Sequence, residues 1–169
     1  MTYNDIDYIK YKVWLGNSYA AGDKENLKKL GIKKIICIMD SPAPQYQESD
    51  GFNQIIYKIA DFPTTNIIKY FGKCINFIEE GNENTFVHCL AGASRSASIV
   101  IAYIMWKDKM TFEDTLNFVK EKRNGVWPNF GFKEQLQKFE ELLKKNDYDL
   151  NKIDFDNLPK FGKTEYYEW

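Results

Sequence analysis

The chain has 169 residues and a mass of 19.9 kDa, enough for one domain with a buried core. Hydrophobic residues make up 44% and charged residues 28%, a balance that excludes a disordered chain. Lys plus Arg is 23 against 24 Asp plus Glu, giving a formal charge of -1. That excludes a generally basic nucleic-acid binder and leaves room for one local basic pocket.

Only two of the basic residues are arginines, Arg95 and Arg123, and there is a single histidine, His88, next to Cys89. The N-terminal stretch carries charges throughout and does not read as a signal peptide. The longest apolar run, residues 99–106, is too short to cross a bilayer. Cys37, Cys74 and Cys89 are odd in number and form no Cys-x-x-Cys pair. Neither a disulfide framework nor a closed zinc site is expected. A reducing compartment follows, most simply the cytoplasm, with access to the nucleus open.

In chain order, Val13, Trp14 and Leu15 predict a short strand stopping at Gly16 and Asn17. Asp23 is placed to cap a helix that ends at Gly31, with Leu27 and Leu30 facing inward. Residues 35–39 are continuously apolar and predict a buried strand. A Pro-containing loop leads to a second strand over 55–60, which stops at Asp61. Tyr70, Phe71, Cys74, Phe77 and Ile78 recur at helical spacing and predict a helix over 67–80. A strand over 85–88 follows, then a buried helix over 96–107. Thr111 starts another helix, with Asp114 in the capping-box position, and the last helix runs over 132–145. Strands alternating with helices mean an α/β fold, a small sheet between helical layers. The domain is read as residues 1–146. Residues 147–169 hold six acids and three lysines and form a tail, either an ordered strap or a flexible end.

The chemistry gathers in His88-Cys89-Leu90-Ala91-Gly92-Ala93-Ser94-Arg95-Ser96. A strand delivers Cys89, and five residues later a helix begins. Small residues between them let the chain curl with its N–H groups inward, and the helix start adds free N–H groups and partial positive charge. Such a cradle fits a tetrahedral dianion, which Arg95 can grip with two prongs. The same field lowers a cysteine pKa from about 8.5 into the range of roughly 3.5–7.5, which would make Cys89 a thiolate nucleophile. The Lys and Ser/Thr of a Walker-type loop are missing, so a nucleoside-triphosphate site fits poorly.

This string resembles the Cys-x5-Arg signature of the cysteine-based protein tyrosine phosphatases, in the His-Cys-x-x-Gly-x-x-Arg-Ser form of dual-specificity phosphatases. Trp14-Leu15-Gly16-Asn17 with Ala20-Ala21, Ala102-Tyr103-Ile104-Met105, and Pro128-Asn129 followed by Phe132, Gln135 and Leu136 are also similar to that family. The resemblance implies a small central mixed sheet flanked by helices and a small member of the atypical type. It implies Asp61 as general acid and base, a choice the residues alone do not make over Asp40 or Asp50. It implies Ser96 as support for the leaving thiolate and His88 as a tuner of Cys89. The loop residues Leu90, Ala91, Gly92, Ala93, Ser94 and Arg95 would bind phosphate, with no metal and no cofactor. Asn129 reads equally as pocket rim or turn residue, Cys37 and Cys74 as core, and Arg123 as a solvated helix end.

None of Leu90, Ala91, Ala93 and Ser94 is basic. A multiply phosphorylated lipid is therefore a poor substrate, and no basic track suits a nucleic-acid backbone. The expected substrate is phosphotyrosine and phosphoserine or phosphothreonine in proteins, attacked to give a phosphocysteine. The alternatives are a phosphoprotein-binding module without turnover and a phosphatase for a non-protein phosphate such as an RNA 5'-phosphate or a phospholipid. Sulfur transfer or arsenate reduction at the same loop is a further possibility, weakened by the missing second cysteine nearby. No membrane partner is expected.

Overall fold

The computed structural model describes residues 4–158. A five-stranded mixed sheet has the order β1-β2-β5-β3-β4. The strands are β1 (Ile6–Lys10), β2 (Val13–Gly16), β3 (Ile32–Ile38), β4 (Asn53–Tyr57) and β5 (Asn84–His88). Only β1 runs antiparallel, hairpinned onto β2; β2, β5, β3 and β4 are parallel. β5 and β3 are interior strands with near-continuous apolar burial, as parallel strands covered on both faces require.

Two short helices, α1 (Ser18–Gly22) and α2 (Lys24–Lys29), cover one face over Leu27, Ile35 and Phe86. The other face carries α3 (Phe71–Glu79), α4 (Arg95–Asp108), α5 (Phe112–Lys122) and α6 (Phe130–Lys145). Every residue from Arg95 to Met105 is buried. α4 lacks a polar face because it packs against the sheet and against α3, α5 and α6 at once.

The capping signals hold. Asp23 accepts the Asn26 N–H and Thr111 accepts the Asp114 N–H. The helix over 67–80 opens as a 3₁₀ turn at Ile68–Tyr70 before α3. β3 begins three residues earlier than its apolar run, because Lys34 sits in the strand with its ammonium on the Phe77, Ile78 and Glu80 carbonyls. Those are the last carbonyls of α3, where a cation is favoured. β4 starts and ends earlier than expected. Residues 58–60 leave the sheet and carry the chain toward Asp61.

Residues 147–158 fold back onto the domain. Ile153 is buried in the main core, and the Phe155 ring lies over Gly72 of α3, where a Cβ would meet it at 2.6 Å. The rest of the tail, 159–169, lies outside the described residues. Cys37 and Cys74 are core residues; burial pushes both thiols up to about 12.

Parallel strands place their C-terminal ends along one edge. β2 leads there to Asn17 and Ser18, β5 to Cys89, β3 to Asp40, and β4, four residues further on, to Asp61. The carboxyl edge of a parallel sheet is where α/β folds build their sites.

Candidate active site

Cys89 stands at the end of central strand β5 and is 2% exposed. Its Sγ accepts the Gly92 N–H at 3.2 Å and lies 3.0 Å from Ser96 Oγ. The loop above it is held from outside. The Leu90 carbonyl accepts the Ser18 N–H at 3.1 Å. Arg123 gives Nη2 to the Ala91 carbonyl at 3.4 Å and Nε to the Gly92 carbonyl at 2.9 Å. The Ala93 carbonyl accepts the Trp127 N–H at 2.8 Å. In a trans peptide the N–H points opposite to the C=O. Four carbonyls tied outward therefore turn the N–H groups of Ala91, Gly92, Ala93 and Ser94 toward the inside, over the sulfur. Gly92 has φ +68, and a Cβ there would meet the Gly16 carbonyl oxygen at 2.5 Å. Only glycine suits both the conformation and the space.

Arg95 opens α4, and its side chain is buried. One guanidinium nitrogen donates to Asp40 at 2.7 Å and to the Ile59 carbonyl at 2.9 Å. Among the described residues its Nε has no partner. A buried N–H without an acceptor is costly, and a bound oxyanion would supply one. Contact with Arg95 holds the Asp40 carboxyl below the usual carboxylate range.

Asp61 rests against the far end of the loop. Its Oδ1 accepts Ser94 Oγ–H at 2.7 Å and Asn129 Nδ2–H at 2.8 Å. Ser94 Oγ in turn accepts the Asn129 N–H at 3.0 Å. Asn129 also caps α6, taking the Phe132 N–H on Oδ1 at 2.9 Å. The cap fixes which way the amide points, so its NH₂ faces Asp61. Asn129 is thus both turn residue and pocket rim. The other two aspartates are engaged elsewhere: Asp40 in the pair with Arg95, and Asp50 with Lys24 and Lys28.

His88 is fully buried, stacked on Phe86, with Nδ1 3.4 Å from the Cys89 carbonyl oxygen. Burial lowers its pKa from 6.5 to about 4, so the ring is neutral at neutral pH. The unfolded chain binds the proton more readily. Stability is therefore fully present above pH 6.5 and is lost as pH falls through about 4. The loss expected from His88 is on the order of 3 kcal/mol. His88→Gln should flatten the slope of unfolding free energy against pH over that interval; an unchanged slope would show that another group carries it.

Arg123 departs from the sequence expectation. It is not a solvated helix end but 5% exposed. Its Nη1 donates to the Asn4 carbonyl at 2.7 Å and to Asp7 Oδ2 at 2.8 Å, while its other nitrogens hold the loop. The one signal in the sequence was rarity, since a lysine-rich chain spends an arginine where a planar fork is needed. Ser18 and Trp127 were missed too, because both hold the loop through backbone N–H groups that any residue but proline has, and the Ser18 hydroxyl, which also donates to the Leu90 carbonyl at 3.3 Å, lies 72 positions from its partner.

The structure thus brings Cys89, Arg95, Ser96 and Asp61 to one loop, with His88 beneath it. Among the described residues no cluster of His, Cys, Asp and Glu could hold a metal, and no helix is long and apolar enough to cross a membrane.

Residues 13–142 match the family described as the dual specificity phosphatase catalytic domain. A probable dual specificity protein phosphatase of Dictyostelium discoideum is 39% identical over 85% of this chain; the match covers 36% of that protein's length. Human dual specificity protein phosphatase 22 is 38% identical, with 81% of this chain and 74% of the relative covered. Among solved structures, the human tyrosine phosphatase-like serine/threonine/tyrosine-interacting protein superposes with a TM-score of 0.78 at 35% identity, covering 82% of this chain and 97% of that one. DUSP15 superposes at 0.75 and 32% identity, covering 89% and 97%. The chain belongs to the dual-specificity phosphatase family, within the cysteine-based protein tyrosine phosphatase superfamily.

Proposed function

We propose that this chain hydrolyses phosphotyrosine and phosphoserine or phosphothreonine in proteins, with Cys89 as nucleophile and Asp61 as general acid and base. Hydrolysis through a phosphocysteine is the reaction of its family, and the chain carries the family's domain over residues 13–142. The observation that supports these roles best is the loop itself: inward amides over a thiol, closed by an arginine whose buried Nε lacks an acceptor among the described residues.

In the first step the Cys89 thiolate attacks phosphorus, an S–P bond forms and the P–O bond to the substrate breaks. The departing oxygen takes a proton from Asp61. The loop amides and Arg95 hold the three equatorial oxygens as their charge grows. In the second step water attacks the phosphocysteine, Asp61 takes a proton from it, and the S–P bond breaks. Ser96, 3.0 Å from the sulfur, donates to the thiolate as it leaves. Inorganic phosphate is released. His88 is neutral and lies under the loop with its ring on the Cys89 carbonyl, so it tunes the loop and moves no proton.

The chain's charge of -1 and the absence of basic residues at Leu90, Ala91, Ala93 and Ser94 favour a protein substrate over nucleic acid or a polyphosphorylated lipid. We place the protein in the cytoplasm with access to the nucleus, where thiols such as Cys37, Cys74 and Cys89 stay reduced.

Asp61→Asn tests the acid. An alkyl phosphate such as a phosphothreonine peptide leaves poorly without a proton, whereas a nitrophenyl phosphate leaves well. The substitution should lower kcat about 10²–10⁴-fold on the peptide and far less on the aryl ester. Equal losses on both would remove Asp61 from that role.

A further inference from the structure

Large apolar side chains are exposed at eight positions among the described residues, and their placement is uneven. Five of them ring the Cys89 loop. Leu90 is in the loop itself. Tyr19, 82% exposed, follows Ser18, whose N–H holds the Leu90 carbonyl where the loop begins. Phe62, 62% exposed, follows Asp61, which grips Ser94 near the loop's end. Trp127 donates its backbone N–H to the Ala93 carbonyl, and Phe130 follows Asn129, which binds Asp61. The Phe62 and Phe130 segments abut, since a Cβ at Gly131 would strike the Pro63 carbonyl oxygen at 1.9 Å.

The other three divide clearly. Tyr8 packs edge-on against Trp14, and Tyr11 hydrogen-bonds Asp108, both away from the loop. Ile56 lines a cavity of about 330 Å³ with Pro42, Ala43 and Lys58, and Asp40 forms its wall. Asp40 also holds Arg95, so this cavity lies beside the phosphate site.

Single exposed apolar residues need no explanation, but several gathered around one site mark a contact surface. A phosphoryl group bound over Cys89 brings the neighbouring residues of its own polypeptide onto this collar. We propose that the collar selects protein substrates in which apolar side chains flank the phosphorylated residue, one pressing on the Tyr19 end and one on the Phe62 end. The occupant is an extended phosphopeptide segment, and the proposal rests on the phosphatase reading above. Its flanking side chains lose water against Tyr19, Leu90 and Phe62, while the phosphate alone sets the register. Two lysines lie over the Trp127 ring, Lys120 at 4.4 Å and Lys133 at 3.7 Å, and Lys58 lines the Ile56 cavity, so the apolar contact is assigned to Tyr19, Leu90 and Phe62.

The test compares two phosphotyrosine peptides of equal length and charge, one with Leu on both sides of the phosphorylated residue and one with Ser there. Nitrophenyl phosphate, which has no flanks, reports the chemistry alone. The native protein should favour the Leu peptide about tenfold in kcat/KM, the effect of burying part of one or two apolar side chains. Tyr19→Ser and Phe62→Ser should each shrink that ratio, and the double variant should bring it near one, with the nitrophenyl phosphate rate unchanged. Equal kcat/KM for the two peptides, with nitrophenyl phosphate turned over, would overturn the collar and leave the phosphatase reading standing. A preference that survives the double variant would also overturn it, by assigning selection to another surface. Failure to turn over nitrophenyl phosphate or either peptide would overturn both readings.

Discussion

Replacing Cys89 by Ser should lower phosphate release from phosphotyrosine and phosphothreonine peptides by about a thousandfold or more while leaving the fold intact. The two side chains are nearly the same shape, and the site can accept either. Serine at 89 can still take the Gly92 N–H and meet Ser96, so no buried group loses its partner. The loop carbonyls are held by Ser18, Arg123 and Trp127, none of which touches the sulfur, so the cradle stays formed. What disappears is the nucleophile. A thiol can ionise in a field of amides and arginine, whereas a hydroxyl needs a base beside it to remove its proton. His88 does not offer that base, because its Nδ1 lies at the Cys89 carbonyl and its buried Nε2 has no hydrogen-bond partner among the described residues. The measurement is initial-rate phosphate release with and without a metal chelator. The native protein should be indifferent to the chelator and the variant inactive in both conditions. The variant should still bind a phosphopeptide, which separates lost chemistry from a lost site. Turnover that survives the substitution would sink the covalent route. A phosphoryl group trapped on Cys89 of the native protein, found by rapid acid quench and peptide mass, would support it directly.

The residues that could be read from the sequence are those whose meaning is local. The Cys89–Arg95 spacing, the caps at Asp23 and Thr111 and the burial of α4 each lie within one short stretch of chain. So does the reading of β5 as an apolar run ending at the site. β1 was not legible. Of Ile6–Lys10 only Ile9 is fully buried, and Asp7 and Lys10 leave the stretch without an apolar run. It is an edge strand, stabilised by pairing with β2 rather than by its own composition. α1 is five residues long and shows no apolar period. β4 was misplaced because Ile59 is apolar and buried outside the sheet, its carbonyl accepting from Arg95.

The choice among Asp40, Asp50 and Asp61 rested on resemblance for the same reason. Asp61 is separated by 33 positions from Ser94 and by 68 from Asn129, so nothing near it in the chain announces either partner. Asp40 is 55 positions from Arg95. Side chains that meet only through topology leave no pattern in a window of a dozen residues, and the proposed acid Asp61 and the Asp40–Arg95 pair are of that kind.

Arg123 shows how far this non-local design reaches, and Arg123→Lys should lower kcat about a hundredfold in a protein that still folds. The guanidinium spans β1 and the phosphate loop at once. One nitrogen pairs with Asp7 and the Asn4 carbonyl, and the other two hold the Gly92 and Ala91 carbonyls. The Ala91–Gly92 peptide so held is the one whose N–H points at Cys89 Sγ. Lysine keeps the buried charge near Asp7, which avoids the roughly 3–5 kcal/mol cost of stranding one partner of a buried pair. It has one nitrogen in place of a planar fork and cannot hold Asp7 and both carbonyls together. The Gly92 and Ala91 carbonyls would then be free to turn inward, and each turn removes an N–H from the cradle and aims an oxygen at the phosphate. Inhibition by orthovanadate, a tetrahedral oxyanion that can mimic the transferring group, should weaken in parallel with kcat. Asp7→Asn provides the contrast. It weakens only the outer end of the bridge, so it should lower Tm while kcat and vanadate inhibition stay near native. If Arg123→Lys instead lowers Tm and leaves kcat and vanadate affinity unchanged, Arg123 only holds β1 in place, and the loop keeps its shape through Ser18 and Trp127 alone.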